Sequence, residues 1–317
     1  MKKVFIDGSE GTTGLRINER LEKRNDIEIL KINPEKRKDT EEIKKYINAS
    51  DITFLCLPDD ASREAVAFTE NENTVIIDAS TAHRTAPGWA YGFPELSEEH
   101  RKAIKTGKRI AVPGCYASGF ISLVYPLVKA GILPKDYPLS VFAASGYSGG
   151  GKKLIAAYEE DGRDKKYDSA RMYAFAQNHK HLKEMKAITG IDNEPLFLPF
   201  TTNYHSGMIV QVPLFSRLLN SPASPASIHE CLAKHYEGEK FIKVRPLGFD
   251  TESGGVLYSD ACAGWDGMEI IVTGNDERIV AVSRFDNLGK GASGAAVQCM
   301  NIVMGVDEAT GLDDARL

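Results

Sequence analysis

Short apolar runs alternate with helical segments over the first 112 residues, and this alternation most constrains the fold. The segments between the runs carry leucine or isoleucine at helical spacing. Alternating strands and helices are typical of crossover units, and continuously apolar strands are typical of a parallel sheet covered on both faces. The sequence therefore predicts a Rossmann-type α/β domain. Its strand-like runs are 3–6, 27–32, 52–57, 74–78 and 109–112.

The pattern changes after Pro113, where one helix over 117–130 is followed by a series of strand-like runs with few helices. This pattern predicts a second, α+β domain with a mixed or antiparallel sheet. A last helical segment, 292–306, is expected to return to the first domain. We therefore predict a dinucleotide-binding domain of residues 1–114 plus about 292–317, with a catalytic domain of residues 115–291 inserted between its parts.

Composition and charge exclude several classes of protein. The chain has 39 Lys and Arg against 44 Asp and Glu, a net charge of −5, which favours neither a nucleic-acid partner nor an anionic membrane. Apolar stretches such as 120–127 are too short to cross a bilayer. The five cysteines form no C-x-x-C pair, and the first residues lead straight into a strand without a secretory pattern. We therefore expect a reducing, cytoplasmic location and no metal site.

A glycine-rich turn follows the first predicted strand and opens the first predicted helix. Gly8, Gly11 and Gly14 have the spacing G-x-x-G-x-x-G, one residue longer at its start than the usual dinucleotide fingerprint. Such a turn lets backbone N–H groups and the helix N-terminus approach a pyrophosphate, although an ordinary strand-to-helix turn has similar glycines. Its position in an alternating series favours cofactor binding. The residues expected to bind the cofactor here are Gly8, Ser9, Gly11, Thr12, Thr13 and Gly14.

Residues 31–38, after the second strand, indicate which cofactor is used. Four basic residues crowd this segment against one glutamate. Basic residues at this corner accept the 2′-phosphate of NADP, whereas an acidic residue would bind the ribose hydroxyl of NAD. The sequence therefore favours NADP(H), with Arg37 and Lys38 as the predicted contacts; the alternative is a solvated charge run.

Cys115 differs from the other cysteines in its position. It lies where the last strand of the first domain gives way to a helix, and a helix N-terminus favours a thiolate and a developing oxyanion. Cys56, Cys231 and Cys299 lie inside strand or helix patterns, where burial is the expected role, and Cys262 has no evident partner. A nucleophilic thiolate beside a nicotinamide site predicts formation of a thioester and its reduction to an aldehyde.

That chemistry needs an acid or base, usually histidine, near the sulfur. Of the seven histidines, those in the segment 178–184 are the most informative. His181 and Glu184 are three residues apart, so on a helix they share a face and the carboxylate can orient the imidazole. The alternative is a basic helix start with one internal ion pair. His205 is a second candidate.

Taken together, these motifs resemble the N-acetyl-γ-glutamyl-phosphate reductases of arginine biosynthesis, in their shorter form. The resemblance extends over essentially the whole chain. Its carriers are the glycine turn at 8–14 and the segments 78–84, 89–95, 113–117, 145–152, 179–184 and 285–293.

The resemblance implies NADPH-dependent reduction of an acyl phosphate to an aldehyde, with release of phosphate. It assigns Cys115 as the nucleophile and His181 as the acid and base, with His179, Glu184 and Tyr173 beside it. Asn287 matches a loop near the nicotinamide. Residues matched to the substrate or its phosphate are Arg84, Ser145, Gly146, Ser148, Gly149 and Lys152.

Two other functions compete with this interpretation. An aspartate-semialdehyde dehydrogenase would use the same thioacyl chemistry on a shorter acyl phosphate, but its nucleophile usually follows asparagine, whereas Gly114 precedes Cys115 here. A nucleotide-binding regulator with a redox-sensing cysteine is the alternative from another class. The family resemblance further implies a homodimer or homotetramer.

Overall fold

The structure is a computed structural model that describes residues 1–313. These residues form two compact units. Unit 1 consists of Met1–Gly114 and Ala292–Leu312, and unit 2 consists of Cys115–Gly291 together with Asp313. The last four residues of the predicted first domain, 314–317, lie outside the described residues.

Unit 1 contains a parallel six-stranded sheet in the order β2-β1-β3-β4-β6-β5. Helices connect most of its strands, as the alternation of apolar runs predicts. The strands are β1 Lys2–Asp7, β2 Ile27–Leu30, β3 Ile52–Leu55, β4 Val75–Asp78, β5 Ala90–Tyr91 and β6 Arg109–Ala111. The helices are α1 Thr12–Leu21, α2 Thr40–Ala49, α3 Asp59–Ala67 and α4 Glu98–Thr106.

Unit 2 contains a mixed seven-stranded sheet in the order β11-β12-β13-β10-β7-β9-β8. The pairs β7–β9 and β11–β12 are parallel and the others are antiparallel. The strands are β7 Ser140–Gly146, β8 Arg171–Met172, β9 Leu196–Thr202, β10 Met208–Phe215, β11 Ile242–Val244, β12 Met268–Gly274 and β13 Arg278–Phe285. The helices are α5 Cys115–Lys129, α6 Lys152–Glu159, α7 His181–Thr189, α8 Pro225–His235 and α9 Phe249–Glu252.

The main segment of unit 2 ends within a π-helix, Gly289–Ser293, and the helix that follows, α10 Gly294–Met304, belongs to unit 1. Helices cover both faces of the sheet in unit 1. Successive side chains of β1 point to opposite faces, and each set packs against different helices. Val4 and Ile6 pack with apolar residues of α1 and α10, and Phe5 packs with apolar residues of α2 and α3. The predicted Rossmann-type and mixed-sheet α+β architecture is thus confirmed.

Helix α5 is buried along almost its whole length and packs on β10 and β13 of unit 2. This close packing depends on Gly119, since a Cβ there would lie 2.8 Å from Cβ of Val210 and 2.8 Å from Oγ of Ser283. The Ser283 hydroxyl donates a 3.1 Å hydrogen bond to the Gly119 carbonyl. The sheet therefore fixes the position of α5, which begins at Cys115 rather than at the predicted residue 117.

The opposite face of this sheet exposes apolar side chains. Phe142 is 38% exposed, and its ring lies 5.1 Å from the ring of Phe200. Leu196 and Phe215 on the same face are also exposed. We call the surface formed by Phe142, Leu196, Phe200 and Phe215 the open face. Among the described residues, no helix is both long and apolar enough to cross a membrane.

Candidate active site

The glycine turn of unit 1 brings its backbone too close for side chains at two positions. Gly8 has φ +81°, and its carbonyl accepts a 2.9 Å hydrogen bond from the Gly11 N–H. A Cβ on Gly14 would overlap the Gly8 carbonyl, and a Cβ on Gly8 would overlap the carbonyl of Cys56. The turn can therefore pack under α1 only with glycine at these positions, as the dinucleotide-binding prediction requires.

The N-terminus of α1 suits an anionic ligand. Its N-cap is Gly11, so no side chain caps the first N–H groups of the helix. The first turn, which contains Thr12 and Thr13, has no acidic residue. The first amides of a helix lack intrahelical partners, and the helix dipole places partial positive charge there. The turn with Ser9 and these amides thus fits the pyrophosphate of a dinucleotide.

The basic corner after β2 lies beside this turn. Arg37 forms an ion pair with Glu10, a residue of the glycine turn. Lys38, the next residue, is exposed. Their contact with a 2′-phosphate stays a prediction, and the ion pair shows that the Arg37 side chain reaches the glycine turn.

Arg84 is also held in place within unit 1. Its guanidinium donates hydrogen bonds to the carbonyls of Val112, at 2.9 Å, and Ala79, at 3.3 Å. The preceding loop is anchored by buried Asp78, whose carboxylate is 2.6 Å from Nδ1 of His83. This segment follows the carboxyl end of β4, the edge of a parallel sheet at which ligands bind. The predicted role of Arg84 at the substrate phosphate stays a prediction.

Cys115 is the first residue of α5 in unit 2 and is partly exposed. A helix N-terminus stabilises a thiolate through its dipole and its amides. Gly291 of the π-helix approaches the cysteine closely, since a Cβ there would lie 2.9 Å from Cβ of Cys115. π-helical turns are frequent at functional sites.

The other cysteines do not have this environment. Burial raises the pKa of Cys56 to about 12, and the charges of Asp78 and Asp7 add to the shift. Burial also raises the pKa of Cys231. None of the five cysteines, all of which are described, forms a disulfide. Within residues 1–313, no cluster of three or more His, Cys, Asp or Glu could hold a metal ion.

A cluster of rings lies next to the cysteine in unit 2. The aromatic cluster, as we call it, consists of Tyr116, Tyr173, His179, His181 and Phe197. The ring of Tyr116 is 6.5 Å from Tyr173, 6.3 Å from His179 and 5.9 Å from His181, measured between centroids. The two imidazoles are 4.8 Å apart, and Phe197 packs 5.1 Å from His179. Three of the predicted catalytic residues are thus brought together.

The two phenols of this cluster remain protonated at neutral pH. Burial raises the pKa of Tyr173 to about 12, and negative charge on Cys115 contributes to the shift. Burial holds the pKa of Tyr116 well above its usual value, again with contributions from Tyr173 and Cys115. Cys115 directly precedes Tyr116 in the chain, and its charge contributes to the pKa shifts of both phenols. The Tyr116 O–H donates a 3.3 Å hydrogen bond to the carbonyl of Phe200.

His181 is the first residue of α7 and is 7% exposed. Its backbone N–H donates a 3.3 Å hydrogen bond to Nδ1 of His179, so a neutral His179 carries its proton on Nε2. Glu184, one turn further along α7, is also buried at 2% exposure. That Glu184 orients His181 stays a prediction, to which their burial on one helix gives support.

The loop between Tyr173 and His179 has two non-glycine residues with left-handed backbone, Ala174 at φ 59° and Gln177 at φ 52°. The side-chain amide of Gln177 compensates this conformation with two hydrogen bonds to β9. Its Nε2 donates to the Phe197 carbonyl, and its Oε1 accepts from the Phe197 N–H, both at 2.8 Å. The Gln177 side chain thus makes the pair of hydrogen bonds that a neighbouring strand would make, and it fixes the loop that contains Tyr173 and His179.

The second glycine-rich turn joins β7 to α6. Ser145 and Ser148 are buried, whereas Gly149 is exposed. The Ser148 N–H donates a 3.0 Å hydrogen bond to the backbone carbonyl of His205. Among the described hydrogen bonds, none joins the imidazole of His205 to the turn. Asn287 joins the same turn to the loop before β10: its Nδ2 donates to Ser148 Oγ at 3.0 Å. Its Oδ1 accepts from the N–H of residue 207 at 2.9 Å. Contact of Asn287 with a nicotinamide stays a prediction.

A cavity of about 240 Å³ in unit 2 joins the glycine-rich turn to the aromatic cluster. Its lining residues are Tyr116, Ser145, Gly146, Gly149, Gly150, Leu154, Arg171, Tyr173, His179 and Thr201. Lys152, predicted to contact the substrate, is exposed and not among them.

Five of the lining residues are absent from the predicted site residues: Tyr116, Gly150, Leu154, Arg171 and Thr201. The position of Tyr116 next to Cys115 in the sequence is a signal that could have identified it. Arg171 stands two residues before Tyr173, and side chains two apart share one side of an extended chain.

Comparison with known proteins agrees with this geometry. Residues 3–104 match the family model described as semialdehyde dehydrogenase, NAD binding domain, and residues 115–287 match the model described as semialdehyde dehydrogenase, dimerisation domain. The chain belongs to the semialdehyde dehydrogenase family.

Curated relatives cover nearly the whole chain. It is 45% identical to N-acetyl-gamma-glutamyl-phosphate reductase 2 of Nostoc sp., over 98% of this chain and 99% of the relative. It is 47% identical to N-acetyl-gamma-glutamyl-phosphate reductase of Brucella ovis, over 96% of this chain and 99% of the relative. The predicted resemblance to these reductases is confirmed.

Solved structures with the same fold include two aspartate semialdehyde dehydrogenases. The enzyme of Francisella tularensis has a TM-score of 0.72 at 14% identity, covering 96% of this chain and 100% of that one. The enzyme of Candida albicans, solved with NADP, has a TM-score of 0.65 at 17% identity, covering 96% of this chain and 98% of that one. At such identities the likeness shows the fold alone.

The loop of Gln177 provides a test of how the aromatic cluster is held. Replacing Gln177 with Ala removes both hydrogen bonds to β9 and leaves a left-handed residue without compensation. Hydrogen–deuterium exchange of the amides over 173–179 should become about tenfold faster or more. Asn178→Ala, at an exposed neighbouring residue, should leave exchange unchanged. Equal exchange in the two variants would show that Gln177 does not hold the loop.

Proposed function

We propose that this protein reduces N-acetyl-L-glutamyl 5-phosphate to N-acetyl-L-glutamate 5-semialdehyde, with oxidation of NADPH and release of phosphate. The observation that carries the proposal is the placement of Cys115 at the start of α5, beside the aromatic cluster. The substrate and the pathway, arginine biosynthesis, follow the relatives at 45–47% identity. We place the reaction in the cytoplasm, in keeping with five cysteines that form no disulfide.

The reaction begins with attack of the Cys115 thiolate on the γ-acyl carbon. An S–C bond forms, the C–O bond to the phosphoryl group breaks, and phosphate leaves with the bonding electrons. Negative charge develops on the acyl oxygen as the carbon becomes tetrahedral. Amides of the first turn of α5 and the protonated phenol of Tyr173 are the donors available to this oxygen.

The thioester that results is reduced and released as aldehyde. NADPH, when bound by the glycine turn of unit 1, supplies the hydride. His181 protonates the oxygen of the hemithioacetal or assists its collapse, in which the C–S bond breaks and Cys115 recovers its thiolate. Glu184, on the same helix, positions His181, and His179 adds a second imidazole. Overall, acyl phosphate, NADPH and one proton give semialdehyde, phosphate and NADP⁺.

The second glycine-rich turn is the proposed site of the leaving phosphate. It brings Ser145 and the backbone of Gly149 and Gly150 to the cavity wall, and backbone amides in such a concave turn stabilise an anion. The residues assigned to this role are Ser145, Gly146, Ser148, Gly149 and Lys152.

We further propose that unit 1 is the NADP(H)-binding domain and that unit 2 is the catalytic and oligomerisation domain. The open face supports this assignment, because a soluble chain rarely leaves a contiguous apolar patch of aromatic and aliphatic side chains uncovered. Pairing of two such faces by a twofold axis gives a homodimer, and a second interface gives a homotetramer.

The function is tested with Cys115→Ser. Wild-type protein should oxidise N-acetylglutamate 5-semialdehyde with NADP⁺ and phosphate, and should not oxidise aspartate semialdehyde at a comparable rate. Cys115→Ser should lose kcat by on the order of 10⁴-fold, because serine is a much weaker nucleophile at neutral pH, while the Kd for NADPH stays unchanged. Cys231→Ser is the matched control and should keep wild-type turnover. Full turnover by Cys115→Ser would overturn the mechanism, and preference for aspartate semialdehyde would overturn the substrate.

The oligomer is tested on the open face. Phe142→Asp places a charge at the centre of the proposed interface, and desolvating an unpaired carboxylate there opposes association. Sedimentation equilibrium should show a wild-type oligomer and a monomeric variant. Leu15→Asp, at an apolar residue of α1 that is 46% exposed, should keep the wild-type mass. An oligomer that survives Phe142→Asp would rule out this face.

A further inference from the structure

Arg171 lines the cavity of unit 2 and has no role in the mechanism above. It lies on β8, the edge strand of the sheet, where its backbone is paired with Thr201 of β9. Its side chain contributes to the same cavity wall as Tyr173 and His179. Arg171 is therefore fixed by backbone pairing at the wall of the cavity, where its positive charge acts on the neighbouring phenol of Tyr173.

Carboxylates pair with other arginines of unit 2. Arg163 pairs with Asp168, Arg278 with Glu277, and both Arg245 and Arg284 with Glu269. Within residues 1–313, no carboxylate forms an ion pair with Arg171. A guanidinium without an internal partner is available to an anion from outside the protein.

The cavity as a whole favours an anion. Its ten lining residues include no aspartate and no glutamate, and Arg171 is the one permanently charged side chain among them. The remaining polar groups are hydroxyls, an imidazole and the backbone of the glycine-rich turn. Tyr116, which follows Cys115 at the start of α5, lines the cavity together with Tyr173, so the space lies beside the first turn of that helix.

We propose that Arg171 is a substrate-binding residue whose guanidinium pairs with an oxyanion of the acyl substrate. The inference rests on the proposed function, in which the substrate carries two such groups, an α-carboxylate and a phosphoryl group. Both present planar or forked pairs of oxygens that a guanidinium can bind with two parallel hydrogen bonds. Arg171 would thereby hold the substrate with its acyl carbon at Cys115 and reject acyl compounds that lack the anion.

The experiment uses the full-length protein in the direction of semialdehyde oxidation with NADP⁺ and phosphate. Two aldehydes are compared: N-acetylglutamate 5-semialdehyde, and 4-acetamidobutanal, which lacks the α-carboxylate. The variants are Arg171→Gln, which removes the charge, and Arg171→Lys, which keeps the charge without the fork. Lys186→Gln, at an exposed cation of α7, is the matched control for loss of charge. Thermal unfolding and the Kd for NADP⁺ show that each variant is folded.

If Arg171 binds the α-carboxylate, Arg171→Gln lowers kcat/KM for the semialdehyde by about 30-fold and leaves that for 4-acetamidobutanal unchanged. If it binds the phosphoryl group, the KM for phosphate rises by a similar factor with both aldehydes. Arg171→Lys should recover part of the loss in either case, because a lysine is charged but makes no bidentate pair. Either pattern supports the inference.

The inference is overturned if Arg171→Gln, folded and binding NADP⁺ normally, matches Lys186→Gln with both aldehydes and with phosphate. It is also overturned if Arg171→Gln slows every substrate equally through kcat, because a substrate anchor changes KM or discrimination first. Failure of the proposed function looks different: the wild-type protein itself would then oxidise neither aldehyde.

Discussion

The site depends on one constraint, the fixed start of α5 at Cys115. The helix is buried along almost its whole length, so its first turn cannot move without disrupting the packing of unit 2 on β10 and β13. The close approach of Gly291 fixes the other side of the cysteine. A cysteine held in this way has its sulfur at the positive end of the helix dipole and within reach of the helix amides, as the proposed nucleophilic role requires.

The phenols and the imidazoles around the cysteine have different roles in the proposed mechanism. The phenols of Tyr116 and Tyr173 stay protonated because burial and the nearby cysteine disfavour their anions, so they donate hydrogen bonds and do not compete as bases. The proposed mechanism assigns proton transfer to the histidines of the aromatic cluster. Cys56 follows a strand rather than starting a helix, and burial raises its pKa to about 12, so it stays a thiol.

Features that depend on neighbours in sequence could be predicted from the sequence. The alternation of apolar runs and helices predicts the parallel sheet, and the glycine spacing predicts a turn whose close contacts at Gly8 and Gly14 are seen in the structure. The two-residue strands β5 and β8 escape prediction because such short strands carry no periodicity. Residues distant in sequence, such as Tyr116 and Arg171, meet only after folding. The left-handed conformation of Gln177 has no signal of its own, since its stabilising partner lies 20 residues away on β9.

The central claim is that the acyl group is carried on the sulfur of Cys115. Its most direct test is peptide mass spectrometry of the wild-type protein after incubation with the semialdehyde and NADP⁺ in the absence of phosphate, followed by an acid quench that preserves thioesters. We predict that the peptide containing Cys115 gains the mass of one N-acetylglutamyl group, and that adding phosphate before the quench removes it. Turnover without any such adduct, or an adduct on a different cysteine, would contradict the account.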